Sequence, residues 1–360
     1  MVKEKYKVLG VMSGTSLDGI DCAVVEFTFK NSRWNYEFLM GKTLPYPDEW
    51  TRKLQTAILL NQSNLHLLNI EYTYFLGEML NEFLVENQLT DLDFISSHGH
   101  TVLHQPERGI TLQIGNLPII ADMMPLPFVC DFRVQDVKLG GQGAPLVPMG
   151  DRLLFADFDY CLNLGGFSNI SFEEDGERLA FDICPVNTLL NHFAQKEGKV
   201  FDNGGKLAQQ GTVDNLLLET LNDLEFYQKL PPKSLGMEQV NNIYLPLLNR
   251  FKLSNRDILA TLTEHIAFQI AEIIKIENSR LLITGGGAFN TYLIHRMKYY
   301  LPKTQIVIGS EELIMFKEAI VFGFLGVLRM EGINNVLSSV TGAKTDHCSG
   351  VVYNSFFLGN

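Results

Sequence analysis

The sequence predicts an α/β protein of two domains. Its 360 residues exceed what one hydrophobic core usually organises. Stretches rich in β-branched and aromatic residues alternate with stretches whose apolar residues recur at helical spacing. A strand, a glycine-bearing tip and a second strand open each half of the chain, as GVMSGTSLDGID at 10–21 and LNLGGFSNIS at 162–171. That recurrence hints at a duplicated unit.

The elements follow in order. Residues 6–12 (YKVLGVM) and 20–28 (IDCAVVEFT) read as two strands of one hairpin whose tip is SGTSLDG. Across 51–88, Leu54, Ile58, Leu59, Leu65, Leu68, Tyr72, Phe75, Leu76, Leu80 and Phe83 keep helical spacing and predict a helix. FISSHGHTV predicts a strand running into a turn. Residues 125–150 are dense in proline and glycine, which predicts a loop passage and a domain boundary. The first domain is therefore expected at 1–127 and the second at 128–325, with 326–360 crossing back onto the first. In the second half, 158–173 is again strand, tip, strand, and ERLAFDIC adds a third. Residues 254–276 predict an amphipathic helix capped by Ser254 or Asn255. SRLLITGGGAFNTYLIHRMKYY reads as strand, three glycines and helix, and 311–330 as a last helix.

Composition narrows the function. The net charge of −12 argues against non-specific nucleic-acid binding and against anionic membranes, both of which select basic patches. No apolar run reaches the length of a spanning helix, and the N-terminus lacks a secretory signal region. The five cysteines are scattered without CxxC spacing, so neither a zinc site nor a disulfide framework is expected. A reducing cytoplasm is the expected location.

Three glycine motifs carry the chemistry. Phosphate is held by backbone N–H groups at turns with little side-chain bulk, helped by hydroxyls. Gly14, Thr15, Ser16, Leu17, Asp18, Gly19, Ile20 and Asp21 form one such loop. Asp18 and Asp21 in it could hold Mg2+ through water, because the ion prefers oxygen ligands and dehydrates reluctantly. Gly165, Gly166, Ser168 and Asn169 form a second. Either tip alone is equally well a bare hairpin turn. Gly285, Gly286 and Gly287 form the third, at a strand-to-helix turn where a nucleotide could approach the backbone. They lack GxGxxG spacing, so a dinucleotide site is disfavoured, and tight strand–helix packing is the alternative.

Taken together, the order of the three motifs resembles the actin-like ATPase and sugar kinase superfamily, whose domains have the ribonuclease H-like fold. There the first two tips clamp phosphates, the third holds adenosine, and ATP and sugar lie in an interdomain cleft that closes on binding. The chain further resembles the anhydro-N-acetylmuramic acid kinases, through VMSGTSLDGID (11–21), SHGHTVLHQP (97–106), TLQIGN (111–116), DFRVQDVKLGGQGAPLVP (131–148), LNLGGFSNIS (162–171), FDICPVN (181–187), PPKSLGME (231–238), TLTEHIA (261–267), ITGGGAFN (283–290) and VTGA (340–343).

The resemblance implies a reaction. A bicyclic sugar from recycled cell wall gains water at carbon 1 while the ATP γ-phosphate moves to oxygen 6, giving N-acetylmuramic acid 6-phosphate. It implies ATP and Mg2+ as cofactors, Asp182 as catalytic base, and a homodimer. A positioned carboxylate is what deprotonating the water requires. Read on its residues, Asp182 is as well an acid capping a turn before Pro185. Arg133, Asp136 and Lys138 precede GGQG, and Arg133 best suits the substrate's lactyl carboxylate because its fork pairs carboxylates bidentately. His98 and Glu318 are further substrate-site candidates; the alternatives are a structural histidine, in company with His100, and a helix-surface acid.

The chain departs from the family pattern in several places. DTGPGN becomes Asp182 followed by ICPVN, so Ile183, Cys184 and Val186 replace a threonine and two glycines, which would compromise any positive-φ position there. SHGQT becomes SHGHT, IGD ends in Asn116, and PPKSTGRE carries Leu235 and Met237. An ordinary sugar kinase acting on a different amino sugar, and a non-catalytic nucleotide or sugar sensor, are the other classes. Oxygen from labelled water at carbon 1 separates the first from the anhydro-sugar reaction.

Overall fold

The computed structural model describes residues 2–14 and 17–354. The chain forms two compact units, one from residues up to Leu154 together with those from Phe316 onward, the other from Phe155–Met315.

In the first unit, β1 (Lys5–Ser13), β2 (Gly19–Lys30) and β3 (Arg33–Pro45) form an antiparallel meander. β4 (Phe94–Gln105) and β6 (Phe128–Cys130) continue the sheet in parallel with β1, while β5 (Ile110–Ile114) pairs antiparallel with the far half of β4. β12 (Val351–Tyr353) closes the edge on β6. The spatial order is β3-β2-β1-β4-β6-β12.

β1 is buried on both faces, and its period-two alternation assigns each residue a face. Leu9 and Val11 pack with Leu68, Tyr72, Leu76 and Leu80 of the helix Gln62–Glu86. Gly10 faces the other way, where a Cβ would collide with the carbonyl of Ala319 in the helix Glu311–Met330. Gly326 of that helix likewise lies against Ser96 of β4, whose hydroxyl donates to the carbonyl of Phe322 at 2.6 Å. Glycine at these crossings lets helix and sheet backbones touch.

The second unit has β7 (Tyr160–Leu164), β8 (Phe167–Glu174) and β9 (Glu177–Pro185) as its meander. β10 (Arg280–Thr284) and β11 (Gln305–Ile308) follow in parallel with β7. The order is β9-β8-β7-β10-β11, the same arrangement as β3-β2-β1-β4-β6. Two sheets with one strand order, each opened by a glycine-tipped hairpin, are the ribonuclease H-like pattern occurring twice. The helix Asn255–Ile273 supplies much of this unit's core through Leu259, Leu262, Ile266 and Ile270. Ser254 is its cap, accepting from the Asp257 N–H.

Three expectations change. Residues 51–88 are not one helix: Asp48–Thr56 ends in a turn at Ala57–Leu59, and Asn61 caps Gln62–Glu86 by accepting from the Asn64 N–H at 2.9 Å. Residues 128–154, expected in the second domain, lie in the first unit because β6 pairs with β4 there. Strand β3 had no counterpart in the sequence reading; it is an edge strand with many half-exposed positions, so its apolar pattern is weak.

Candidate active site

In the first unit, the first glycine loop joins β1 to β2. Thr15 and Ser16, two of its expected phosphate ligands, lie outside the described residues. Gly14 precedes them, and Leu17, at φ 61°, returns its N–H to the Gly14 carbonyl at 3.4 Å. Gly19 and Ile20 begin β2. The carbonyl of Leu44 on β3 leaves no room for a Cβ at Gly19, and the Ile20 side chain is fully buried in the core, so only backbone is on offer at these two positions. Asp18 is exposed. Asp21 is half-buried and its Oδ1 accepts from the Thr43 hydroxyl at 2.6 Å. Burial raises its carboxyl, and the charge of Asp18 adds to that rise against the Thr43 hydrogen bond. A half-buried carboxylate with a second carboxylate beside it suits a shared cation. Among the described residues no group of three or more His, Cys, Asp or Glu could hold a metal by itself. A Mg2+ here would have to complete its shell with water and phosphate, its usual habit.

Below this loop, Ser13 Oγ is hydrogen-bonded to His100 Nδ1 at 2.8 Å and to Tyr46 Oη at 2.6 Å, and Tyr46 to Tyr72 at 2.5 Å. These hydrogen bonds fix the root of the loop at Ser13. Burial pushes His100 down to about 4, so this ring is a neutral structural group.

Glu318 lies on the helix Glu311–Met330. It keeps more than a third of its surface accessible, yet the surrounding protein still raises its carboxyl through desolvation, with Asp21 raising it further and Arg133 and Lys317 opposing. Lys317 beside it is spent on Asp151 at 2.8 Å. Arg133 Nε donates to His98 Nε2 at 2.8 Å and Nη1 to the Gly143 carbonyl at 2.6 Å. Desolvation lowers its guanidinium to about 10, with Glu318 and then Asp136 acting in the other direction. His98, expected as a substrate ligand, is buried with both ring nitrogens engaged, so it contacts Arg133 instead. Asp136 is fully buried and accepts from the Gly143 N–H at 2.6 Å and the Thr341 hydroxyl at 2.7 Å, tying GGQG to the VTGA segment. Lys138 is exposed.

In the second unit, the tip between β7 and β8 carries Gly165 and Gly166. Their carbonyls accept from the N–H groups of Val186, Asn187 and Thr188, while their own amides find no protein acceptor among the described residues. Free amides at an accessible tip are what a phosphate requires. Ser168 does not supply a hydroxyl there: its Oγ is consumed across the sheet, by the Cys184 carbonyl at 3.1 Å and the Cys184 N–H at 3.2 Å. Asn169 is exposed and sits opposite Asp182 in the β8–β9 register.

Asp182 Oδ2 accepts from the Leu235 N–H at 2.8 Å, and the Asp182 N–H donates to the Lys233 carbonyl at 3.1 Å. Its Oδ1 has no partner among the described residues. Burial raises the carboxyl, partly offset by the Leu235 hydrogen bond. The loop held this way borders an open groove of about 770 Å³ lined by Phe226, Pro232, Lys233, Leu235 and Tyr244. The pairing of Asp182 with Leu235 spans 53 residues, and no sequence signal connects them beyond the PPKS text itself.

The third motif divides. Gly285 has φ 80° and a Cβ there would meet the Leu164 backbone at 2.8 Å; one at Gly287 would meet Leu164 Cβ at 2.8 Å. Those two serve strand–helix packing. Gly286 has only Asn187 Nδ2 nearby, at 4.0 Å, and is exposed. Asn187, whose Nδ2 donates to the Leu164 carbonyl at 3.1 Å, borders this opening and was not singled out from sequence.

Residues 6–355 match the family described as anhydro-N-acetylmuramic acid kinase. The chain belongs to that family. It is 35% identical over 369 residues to the anhydro-N-acetylmuramic acid kinase of Rippkaea orientalis, covering 93% of this chain and 96% of that one. It is also 35% identical over 380 residues to the enzyme of the same name from Mannheimia succiniciproducens, covering 98% and 100%. Among solved structures, component A of the Acidaminococcus fermentans (R)-2-hydroxyglutaryl-CoA dehydratase aligns over 88% of this chain and 95% of its own, at 13% identity and a TM-score of 0.44. Membership makes the chain a sugar kinase, which implies ATP use and a small-molecule sugar substrate. No helix among the described residues is long and apolar enough to cross a membrane.

Proposed function

We propose that this kinase converts 1,6-anhydro-N-acetylmuramic acid, ATP and water to N-acetylmuramic acid 6-phosphate and ADP, with Asp182 as the base. The observation that carries the reading is the Asp182 carboxylate itself: one oxygen is fixed by the Leu235 N–H, the other is free, and burial raises its proton affinity. A carboxylate so placed orients a water and accepts its proton as the oxygen attacks carbon 1. The bond from carbon 1 to the bridging oxygen breaks, and its electron pair stays on oxygen 6. Oxygen 6 attacks the γ-phosphorus and ADP leaves. Dispersed backbone donors stabilise the charge that builds on the phosphoryl group. The amides of Gly165 and Gly166, with those of the loop at Gly14, are assigned that task, and Gly286 is assigned to the adenosine side.

Arg133 takes the lactyl carboxylate, and Glu318 accepts a sugar hydroxyl. Asp18 and Asp21 would hold Mg2+ through water; the ion, when bound, neutralises phosphate charge. The enzyme is assigned to the cytoplasm, which suits cysteines that are all free. A homodimer is the assembly that the family resemblance suggests. ADP release from ATP and Mg2+, measured with and without 1,6-anhydro-N-acetylmuramic acid, tests the assignment. Turnover that depends on this sugar is expected; turnover indifferent to it, or faster with an ordinary amino sugar, overturns the reading.

A further inference from the structure

We propose that His98 is a positioning residue for Arg133, a permanently neutral imidazole that turns the free edge of the guanidinium toward an anionic group on the substrate. This rests on the anhydro-sugar reading above. Arg133 Nε donates to His98 Nε2 at 2.8 Å. A guanidinium keeps its protons, so Nε2 carries none, and the ring is the Nδ1–H tautomer. Nδ1 lies 2.9 Å from the Gly99 carbonyl, which accepts that proton. A second ring proton would set two donors head to head.

The surroundings keep the ring uncharged. Burial first, then Arg133, and after them His100 and His104, oppose its protonation against the Gly99 hydrogen bond; the Phe322 ring lies 4.6 Å away, and Asn116 Nδ2 donates to the His98 carbonyl at 3.4 Å. The second acceptor on Arg133, the Gly143 carbonyl, is itself immobilised because its residue's N–H is held by Asp136. Nε and Nη1 are thus taken by fixed partners. Nη2 has no partner among the described residues, and Glu318 acts on the charge without bridging to it. An oriented, partly desolvated guanidinium with one open edge is a carboxylate receptor. It makes His98 a determinant of preference for the lactyl-bearing sugar over the same anhydro sugar without the lactyl group.

The test compares kcat/KM for 1,6-anhydro-N-acetylmuramic acid and 1,6-anhydro-N-acetylglucosamine in wild type, His98→Ala and His98→Gln. His98→Ala is expected to cut the preference for the carboxylated sugar by about tenfold or more, chiefly through its KM, since a hydrogen bond to a charged group is lost. Gln places an acceptor oxygen near the Nε2 position and is expected to restore most of the preference. Equal losses on both sugars, or a preference unchanged in His98→Ala, overturn the proposal. Nitrogen-15 NMR of the wild-type imidazoles reads the tautomer whatever the enzyme's substrate proves to be. A His98 ring that stays neutral and Nδ1-protonated from pH 6 to pH 8, on the two sides of an ordinary histidine pKa of about 6.5, is expected. A ring that titrates there, or carries its proton on Nε2, overturns it.

Discussion

Replacing Asp182 with Asn separates catalysis from stability. The Asn carbonyl oxygen can still accept from the Leu235 N–H, so the hydrogen bond joining β9 to the 231–236 segment survives. What disappears is the base. General-base catalysis contributes about 10²–10⁴-fold, so sugar-dependent kcat should fall by that factor, a barrier increase of about 3–5 kcal/mol. Stability should move the other way. Burial raises this carboxyl in the folded state, so folding favours its protonated form. Its stabilising contribution is therefore complete below the unfolded pKa and is lost as pH rises through the folded one. At neutral pH the ionised carboxylate is a cost that Asn removes. The assay is initial-rate ADP release at saturating ATP and sugar, paired with thermal unfolding in one neutral buffer at about pH 7.5 and one acidic buffer at about pH 4, since the linkage makes the difference depend on pH. Asp182→Asn should have a Tm equal to or above wild type at the higher pH, with the advantage shrinking at the lower. A variant that retains more than about a tenth of wild-type kcat contradicts the base assignment. A variant that melts well below wild type at pH 7.5 contradicts the linkage argument.

Four other substitutions test other parts of the account. Gly287→Ala drives a Cβ into Leu164 and should lower Tm, whereas Gly286→Ala meets open space and should keep Tm while raising the KM for ATP; differential scanning fluorimetry and ATP titration distinguish them. Asp136→Ala orphans the Gly143 N–H, worth about 1–3 kcal/mol when buried unpaired, and leaves the Thr341 hydroxyl only its longer bond to the Leu337 carbonyl, so urea unfolding of this variant should show a clear loss. Asp21→Asn should raise the Mg2+ concentration for half-maximal velocity by about 10–100-fold, the usual effect of losing an outer ligand partner, and an unchanged Mg2+ requirement would remove Asp21 from that role.

The glycine tips were legible because local chemistry makes them: small and polar residues between two β-rich runs leave few alternatives. The strand order was not, since pairing β1 with β4 joins residues more than 80 positions apart and local pattern is blind to it. The same limit hid Leu235 as the partner of Asp182. The IC-V replacements at 183–186 looked hazardous from sequence. They are not: Cys184 sits in the β9 ladder opposite Ser168, and Val186 has φ −119°, so neither position needs the left-handed region. His98 was visible as a polar residue at a strand end. Its role was not, because what decides it is the direction from which the Arg133 Nε–H arrives.

The central claim is that water, and not a sugar hydroxyl, is the nucleophile at carbon 1, with oxygen 6 receiving the phosphoryl group. Running the reaction in 18O-labelled water and fragmenting the product by mass spectrometry tests it directly. The account predicts one 18O atom on carbon 1 and unlabelled oxygen bridging carbon 6 to phosphorus. A phosphorylated product whose carbon 1 carries no label would contradict it.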